Sequence, residues 1–272
     1  MLAASLLTFR EGLEAALIVG IVLGYLARIG RRDGYPYVWW GVGLALAASA
    51  VMAAGLQFMG AEFQGRGEQI FEGTTMLLAV GVLTYMIFWM RQQARRVKGE
   101  LEERVGAAVT SRARWGIFSV AFLAVFREGV ETALFLSAAT YVSSGRETMV
   151  GGVLGLALAV VAGWAVFASS RRLDIRAFFS ATGALLIVFA AGLAAHGLHE
   201  FQEAGLLPAL AEHVWNTKAI LDDRSALGSV LRSLVGYNDD PSLLEVLGYL
   251  GYYLLVLLAM AWRKERPASF TS

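Results

Sequence analysis

Apolar residues fall along the chain in seven runs of about 20, each long enough as a helix to cross a hydrocarbon core of about 30 Å. They lie at Leu2 to Ala27, Val38 to Met59, Ile70 to Met90, Trp115 to Tyr141, Val150 to Ser169, Ala177 to Leu198 and Leu243 to Trp262. The pattern predicts an all-α polytopic membrane protein with seven transmembrane helices. The first run starts at Met1 and holds Arg10, Glu11 and Glu14, with no basic leader and no small-residue cleavage site. It therefore reads as a retained span and not as a signal peptide. Composition agrees: 57% of residues are hydrophobic and 17% charged, whereas soluble domains hold roughly 45 to 50% and about 25%. The absence of cysteine excludes disulfides, thiolate catalysis and cysteine-type zinc sites.

The net charge of +1 points to no partner, and none of nucleic acid is expected, but the placement of charge is informative. Segments after the first, third, fifth and seventh runs hold sixteen basic residues: Arg28, Arg31, Arg32; Arg91, Arg95, Arg96, Lys98, Arg104, Arg112, Arg114; Arg171, Arg172, Arg176; and Arg263, Lys264, Arg266. The alternate segments hold five, Arg66, Arg146, Lys218, Arg224 and Arg232. The positive-inside rule then places the N-terminus outside and the C-terminus in the cytoplasm. Trp39, Trp40, Trp89, Trp115 and Trp262 fall at the cytoplasmic ends of spans in this arrangement, where amphipathic rings prefer to sit.

The first half of the chain echoes the second. Phe9-Arg10-Glu11-Gly12-Leu13-Glu14-Ala15-Ala16-Leu17 recurs as Phe126-Arg127-Glu128-Gly129-Val130-Glu131-Thr132-Ala133-Leu134. Gly43-Leu44-Ala45-Leu46-Ala47 matches Gly155-Leu156-Ala157-Leu158-Ala159, and Thr74-x-x-Leu77-Leu78-x-Val80 matches Thr182-x-x-Leu185-Leu186-x-Val188. Three spans is an odd number, so the second copy enters the membrane from the opposite side. The expected organisation is one transmembrane domain, 1–272: repeat one at 1–98, repeat two at 115–203, an outer loop at 204–242 and a seventh helix at 243–262. Inverted three-helix repeats of this kind are found in transporters, whose sites lie near the midplane.

Both charged motifs lie near the bilayer centre, Arg10 about 13 Å from Met1 and Arg127 about 18 Å from Trp115 along their helices. Within each, the glutamates are spaced i, i+3 and the arginine and second glutamate i, i+4, so the three share a helix face. Gly12 and Gly129 between them admit another backbone or a ligand. A central membrane charge costs about 2.5 to 3.5 kcal/mol, so six cost on the order of 15 to 20 kcal/mol gross. They must face each other or a watery cavity. One reading is a pair of buried structural ion pairs. Against it, Glu11, Glu14, Glu128 and Glu131 outnumber Arg10 and Arg127 by a charge of −2, which asks for a cation. Carboxylates without sulfur suit ferric iron, calcium, magnesium or manganese better than copper(I) or zinc.

The two motifs resemble the paired Arg-Glu-x-x-Glu motifs of the iron permease family, the oxidase-dependent iron transporters of fungi and their bacterial ferrous/ferric permease relatives. The likeness covers nearly the whole chain, including Phe71-Glu72-Gly73 at the start of the third span. It implies high-affinity uptake of iron, ferric iron first, with Glu11, Glu14, Glu128 and Glu131 as permeation ligands and Arg10 and Arg127 as their partners. Iron is then cargo, the protein is not an enzyme, and no resident cofactor is expected. The family's habit also implies a separate iron-oxidising or iron-delivering protein outside the membrane.

The segment from His199 to Ser242 carries a balance of −4 and suits a mouth that concentrates cations, though a solvated outer loop would look the same. Leu227, Val230, Leu231 and Leu234 recur at helical spacing and predict an amphipathic helix there. His196, His199, Glu200 and Glu203 align on one face at the outer end of span six, and Glu68 and Glu72 could join them. They form a candidate outer binding site, with histidines satisfied at the headgroup level as the alternative. Tyr249, Tyr252 and Tyr253 read as packing residues. Another hard cation, ferrous iron or manganese, is the competing cargo. An intramembrane carboxylate-bridged metalloenzyme is the competing class, disfavoured because no span offers a midplane histidine. A bacterial inner membrane, with lipid around every span, is the expected location.

Overall fold

The structure, a computed structural model, describes residues 1–93, 97–110, 114–168, 175–208, 210–211 and 213–264. Of the charges counted above, Arg95, Arg96, Arg112, Arg171, Arg172, Glu212 and Arg266 lie outside these. The described residues form α-helices and turns with no strand. The helices are α1 (Leu2–Arg28), α2 (Tyr35–Glu62), α3 (Arg66–Gln93), α4 (Val97–Thr110), α5 (Arg114–Val142), α6 (Gly145–Ala168), α7 (Ile175–Glu203), α8 (Ala226–Val235) and α9 (Leu243–Lys264).

All seven expected runs are helical over their described residues, Ser169 at the end of the fifth lying outside these. Five, within α2, α3, α6, α7 and α9, are long and apolar enough to cross a bilayer. The other two, α1 and α5, are as long at 27 and 29 residues but each carries Arg-Glu-x-x-Glu in its interior. Leucine, alanine and valine dominate these helices, and a helix satisfies its backbone groups internally, which hydrocarbon surroundings require. Their outer surfaces match such surroundings: Val153, Leu154, Leu158 and Trp164 of α6, and Leu250, Leu254 and Leu257 of α9, are exposed. Apolar residues exposed in such number would be a liability in water.

The chain divides into two compact units. The first comprises Met1–Glu62 and Met86–Gly183, the second Phe63–Tyr85 and Ala184–Ser272. In the first, α1 packs along α6, α2 packs along α5, and α1 also touches α5. Small residues allow both close pairings. A Cβ built at Gly12 would stand 2.8 Å from Ala159 Cβ, and one at Gly129 would stand 2.6 Å from Ser49 Cβ. Likewise, a Cβ at Gly41 would stand 3.1 Å from Ala121 Cβ, and one at Gly151 would stand 3.1 Å from Ala4 Cβ.

These contacts share a register. Counting on by 117 residues takes Ala4 to Ala121 and Gly12 to Gly129, and counting on by 110 takes Gly41 to Gly151 and Ser49 to Ala159. The Gly43 and Gly155 pentapeptides matched in the sequence are 112 apart, so that match is two residues out of the contact register. A Cβ at Gly43 would meet nothing within 4 Å, while Gly155 sits against Ser5 and Thr8.

The helix α4 has no counterpart among the expected spans. It packs on α1 and α5, where Val105 joins a core with Val22, Leu26, Val38, Ile117 and Ala121. Arg28 reaches across to Glu102 at 3.0 Å. Its sequence signal is slight, because Val97, Leu101 and Val105 are its only large apolar residues before the last turn.

In the second unit, Gly192 of α7 meets Gly236, which closes α8 with φ +69°. A Cβ on Gly192 would stand 2.6 Å from the Gly236 Cα, so this crossing brings backbone onto backbone and admits no side chain. The amphipathic helix expected around Leu227 is α8, and Ser225 caps it by accepting from the Gly228 N–H at 3.0 Å. Tyr252 contacts Thr84 Oγ1 at 3.0 Å, and Tyr249 and Tyr253 meet edge to face.

Candidate metal site

The midpoints of α1 and α5 bring their charged motifs together inside the first unit. One carboxylate oxygen each from Glu11, Glu128 and Glu131 lies within 4.8 Å of the other two, and all three residues are buried. A sphere of oxygen at 2.0 to 2.6 Å from a hard cation needs ligand separations of this order or a little less. The second oxygens of Glu11 and Glu131 are buried without a hydrogen-bond partner. Unmatched buried carboxylate oxygens are costly, and an oxygen-seeking cation would satisfy them.

The arginines are placed as helical spacing dictates. Arg10 lies 2.6 Å from Glu11 and 2.9 Å from Glu14. Arg127 donates Nε–H to Glu131 at 2.9 Å and stands 4.0 Å from Glu128. Glu14 pairs with Arg10, its Oε1 buried without a hydrogen bond, and is not one of the three grouped carboxylates. Two residues that the sequence did not single out also lie against Arg10. Met86 Sδ accepts from its Nη1 at 2.8 Å, and the Phe179 ring lies 5.8 Å from its guanidinium carbon. Trp89, grouped above with the interfacial tryptophans, lies under Arg127, whose guanidinium carbon is 4.5 Å from the ring centre. Trp39, Trp40, Trp115 and Trp262 are exposed.

The outer candidates, all in the second unit, divide. His199 Nε2 meets Glu203 at 3.1 Å, and Gln69 donates to the other oxygen of Glu203 at 3.0 Å. Glu72 feels the charges of Glu200, Glu68 and Glu203. His196 does not join them. It is buried, with Nδ1 3.1 Å from Gly192 O one turn back. Glu245 is the missed member: its carboxylate lies 3.0 Å from His199 Nδ1, off the line of a hydrogen bond, and accepts from Asn238 at 2.8 Å and from the Ser242 N–H at 3.1 Å. Ser242-x-x-Glu245 is a capping box at the start of α9, a signal present in the sequence.

Residues 1–263 match the model of the Iron permease FTR1 family. The chain belongs to this family. Among its relatives, the ferrous iron permease EfeU of Shigella sonnei (strain Ss046) is 37% identical over 263 residues, covering 96% of this chain and 95% of that one. The protein of the same name from Yersinia pestis is 36% identical over 263 residues, with 95% and 92% covered. No solved structure matches. The family consists of permeases, which are transporters and not enzymes, and the chain is a multi-pass integral membrane protein.

Proposed function

We propose that this permease carries iron into the cell, ferric iron first, through a midplane site made by Glu11, Glu128 and Glu131, with Glu14 alongside and Arg10 and Arg127 as counter-charges. The observation that carries the reading is the convergence of three buried carboxylates from two helices, two of them with an unpartnered oxygen. The arginines hold the carboxylates together while the site is empty. A cation of charge +3 would turn the cluster from −2 to +1 and so favour its own release onward.

The alternation of α1 with α6 and α2 with α5, in one shared contact register, supports an inverted pair of three-helix repeats with α9 added. Seven spans, an external N-terminus and a cytoplasmic C-terminus complete the topology, in the inner membrane of a bacterium. His199, Glu200, Glu203, Glu68 and Glu72 collect the cation outside, where an iron-oxidising or iron-delivering protein hands it over. His196, buried against its own helix, serves that mouth by packing.

The printed name of the relatives favours a second reading, ferrous iron as cargo. One experiment tests both: radio-iron uptake into proteoliposomes, offered as ferric chelate or as ferrous iron under ascorbate, with excess manganese and zinc as competitors. Saturable uptake of one form, resistant to the competitors and lost in Glu131→Gln, is expected. Uptake that survives Glu131→Gln would overturn the site.

A further inference from the structure

Met86 and Trp89 are three residues apart on α3 and so share a face, and each holds a different motif arginine. Arg10 donates to Met86 Sδ at 2.8 Å, while Arg127 lies over the Trp89 ring at 4.5 Å. The arginines are not equivalent. The Arg10 side chain is 2% exposed and pairs with both glutamates of its own helix. The Arg127 side chain is 41% exposed, makes its close contact with one oxygen of Glu131 and stands 4.0 Å from Glu128, while the other oxygen of Glu131 is buried without a hydrogen-bond partner.

A guanidinium competes with a metal ion for the same oxygens, because it offers five donors to any carboxylate it can reach. If it swung inward, Arg127 would cover the three carboxylates that a cation needs. Tryptophan is the best aromatic surface for holding a guanidinium, and here it holds one at the exposed edge.

We propose that Trp89 is a positioning residue that parks Arg127 at the rim of the site, on one oxygen of Glu131 with the other oxygen left open, and thereby sets the affinity for the transported cation. This rests on the carboxylate site proposed above. The parking contact is cheap to leave and cheap to remake, so it weights the site toward an open arrangement without locking it.

The test is equilibrium binding of radioactive iron to the purified, detergent-solubilised chain, together with uptake in proteoliposomes. Trp89→Leu should raise the half-saturating iron concentration about threefold to tenfold, with the maximal uptake rate near wild type. Trp89→Phe, which keeps an aromatic face, should recover most of the difference. In an Arg127→Gln background, Trp89→Leu should change binding no further. Equal half-saturation in wild type and Trp89→Leu would overturn the proposal while leaving the carboxylate site standing. A shift that persists undiminished in the Arg127→Gln background would also overturn it, since Trp89 would then act by packing. Failure of the wild-type chain to bind iron would overturn the carboxylate site and this proposal with it.

Discussion

Arg10 and Glu11 are neighbours in sequence whose charged groups meet at 2.6 Å, with side chains 2% and 0% exposed. Few ionised pairs are so completely withdrawn from solvent, and removing one partner strands the other. Breaking a buried pair in this way costs about 3 to 5 kcal/mol. We therefore expect Arg10→Ala to lower the thermal stability of the detergent-solubilised protein far more than Arg127→Ala, whose side chain is partly exposed. Thermal unfolding of the two variants side by side measures the difference, and equal midpoints would contradict it.

Glu11→Gln, Glu128→Gln and Glu131→Gln each keep the shape of the side chain and remove one anionic ligand. A lost charge-assisted contact is worth about 1.5 to 3 kcal/mol, so each should weaken iron binding by roughly tenfold to a hundredfold. Glu14→Gln should cost less in binding, because Glu14 stands on Arg10 and outside the three-carboxylate group. Iron binding to the four purified variants ranks them, and an equal loss in Glu14→Gln would put Glu14 among the direct ligands.

Gly129 is pressed against Ser49. Gly129→Ala would insert a methyl group into that contact and should destabilise the protein by about 1 to 3 kcal/mol. Ser49→Gly in the same chain should restore most of the loss by removing the obstructing side chain. Gly20→Ala, where nothing lies within 4 Å, should be neutral or slightly stabilising, since alanine is the better helix former. Thermal midpoints of the four proteins give the comparison.

Ser242 and Glu245 cap each other's backbone at the start of α9. Ser242→Ala should cost about 1 kcal/mol of local stability and speed amide hydrogen exchange in the first turn of α9. Exchange that stays at the wild-type rate there would show that the cap is redundant.

Much of this architecture is legible in the sequence because charge inside an apolar run is conspicuous. Arg10 and Arg127 mark the two motif helices, and their spacing to Glu14 and Glu131 forecasts the ion pairs seen at 2.9 Å. The pairing of α2 with α5 is less legible. Leucine and alanine repeat too evenly along these helices to fix a register, and the pentapeptide echo at Gly43 chose one two residues away from that of the Gly41 and Gly129 contacts. Trp89 reads as an interfacial ring because its chemistry is the same whether it faces headgroups or a guanidinium. Its position three residues after Met86 distinguishes it only once Arg10 and Arg127 are placed in space. Glu245 was readable from the capping box, whereas its contact with His199 depends on two distant helices meeting.

The packing of α1 on α6 and of α2 on α5 has a consequence for how the chain can be divided. The helices α1 and α2 of the first half take their main neighbours from the second, so cutting the chain near α4 would separate both from the surfaces they lie against. Neither fragment would keep a finished apolar face or a complete carboxylate group. Made together, the two pieces would be obliged to reassemble by interlacing, and only the interlaced pair would bring Glu11 back to Glu128 and Glu131.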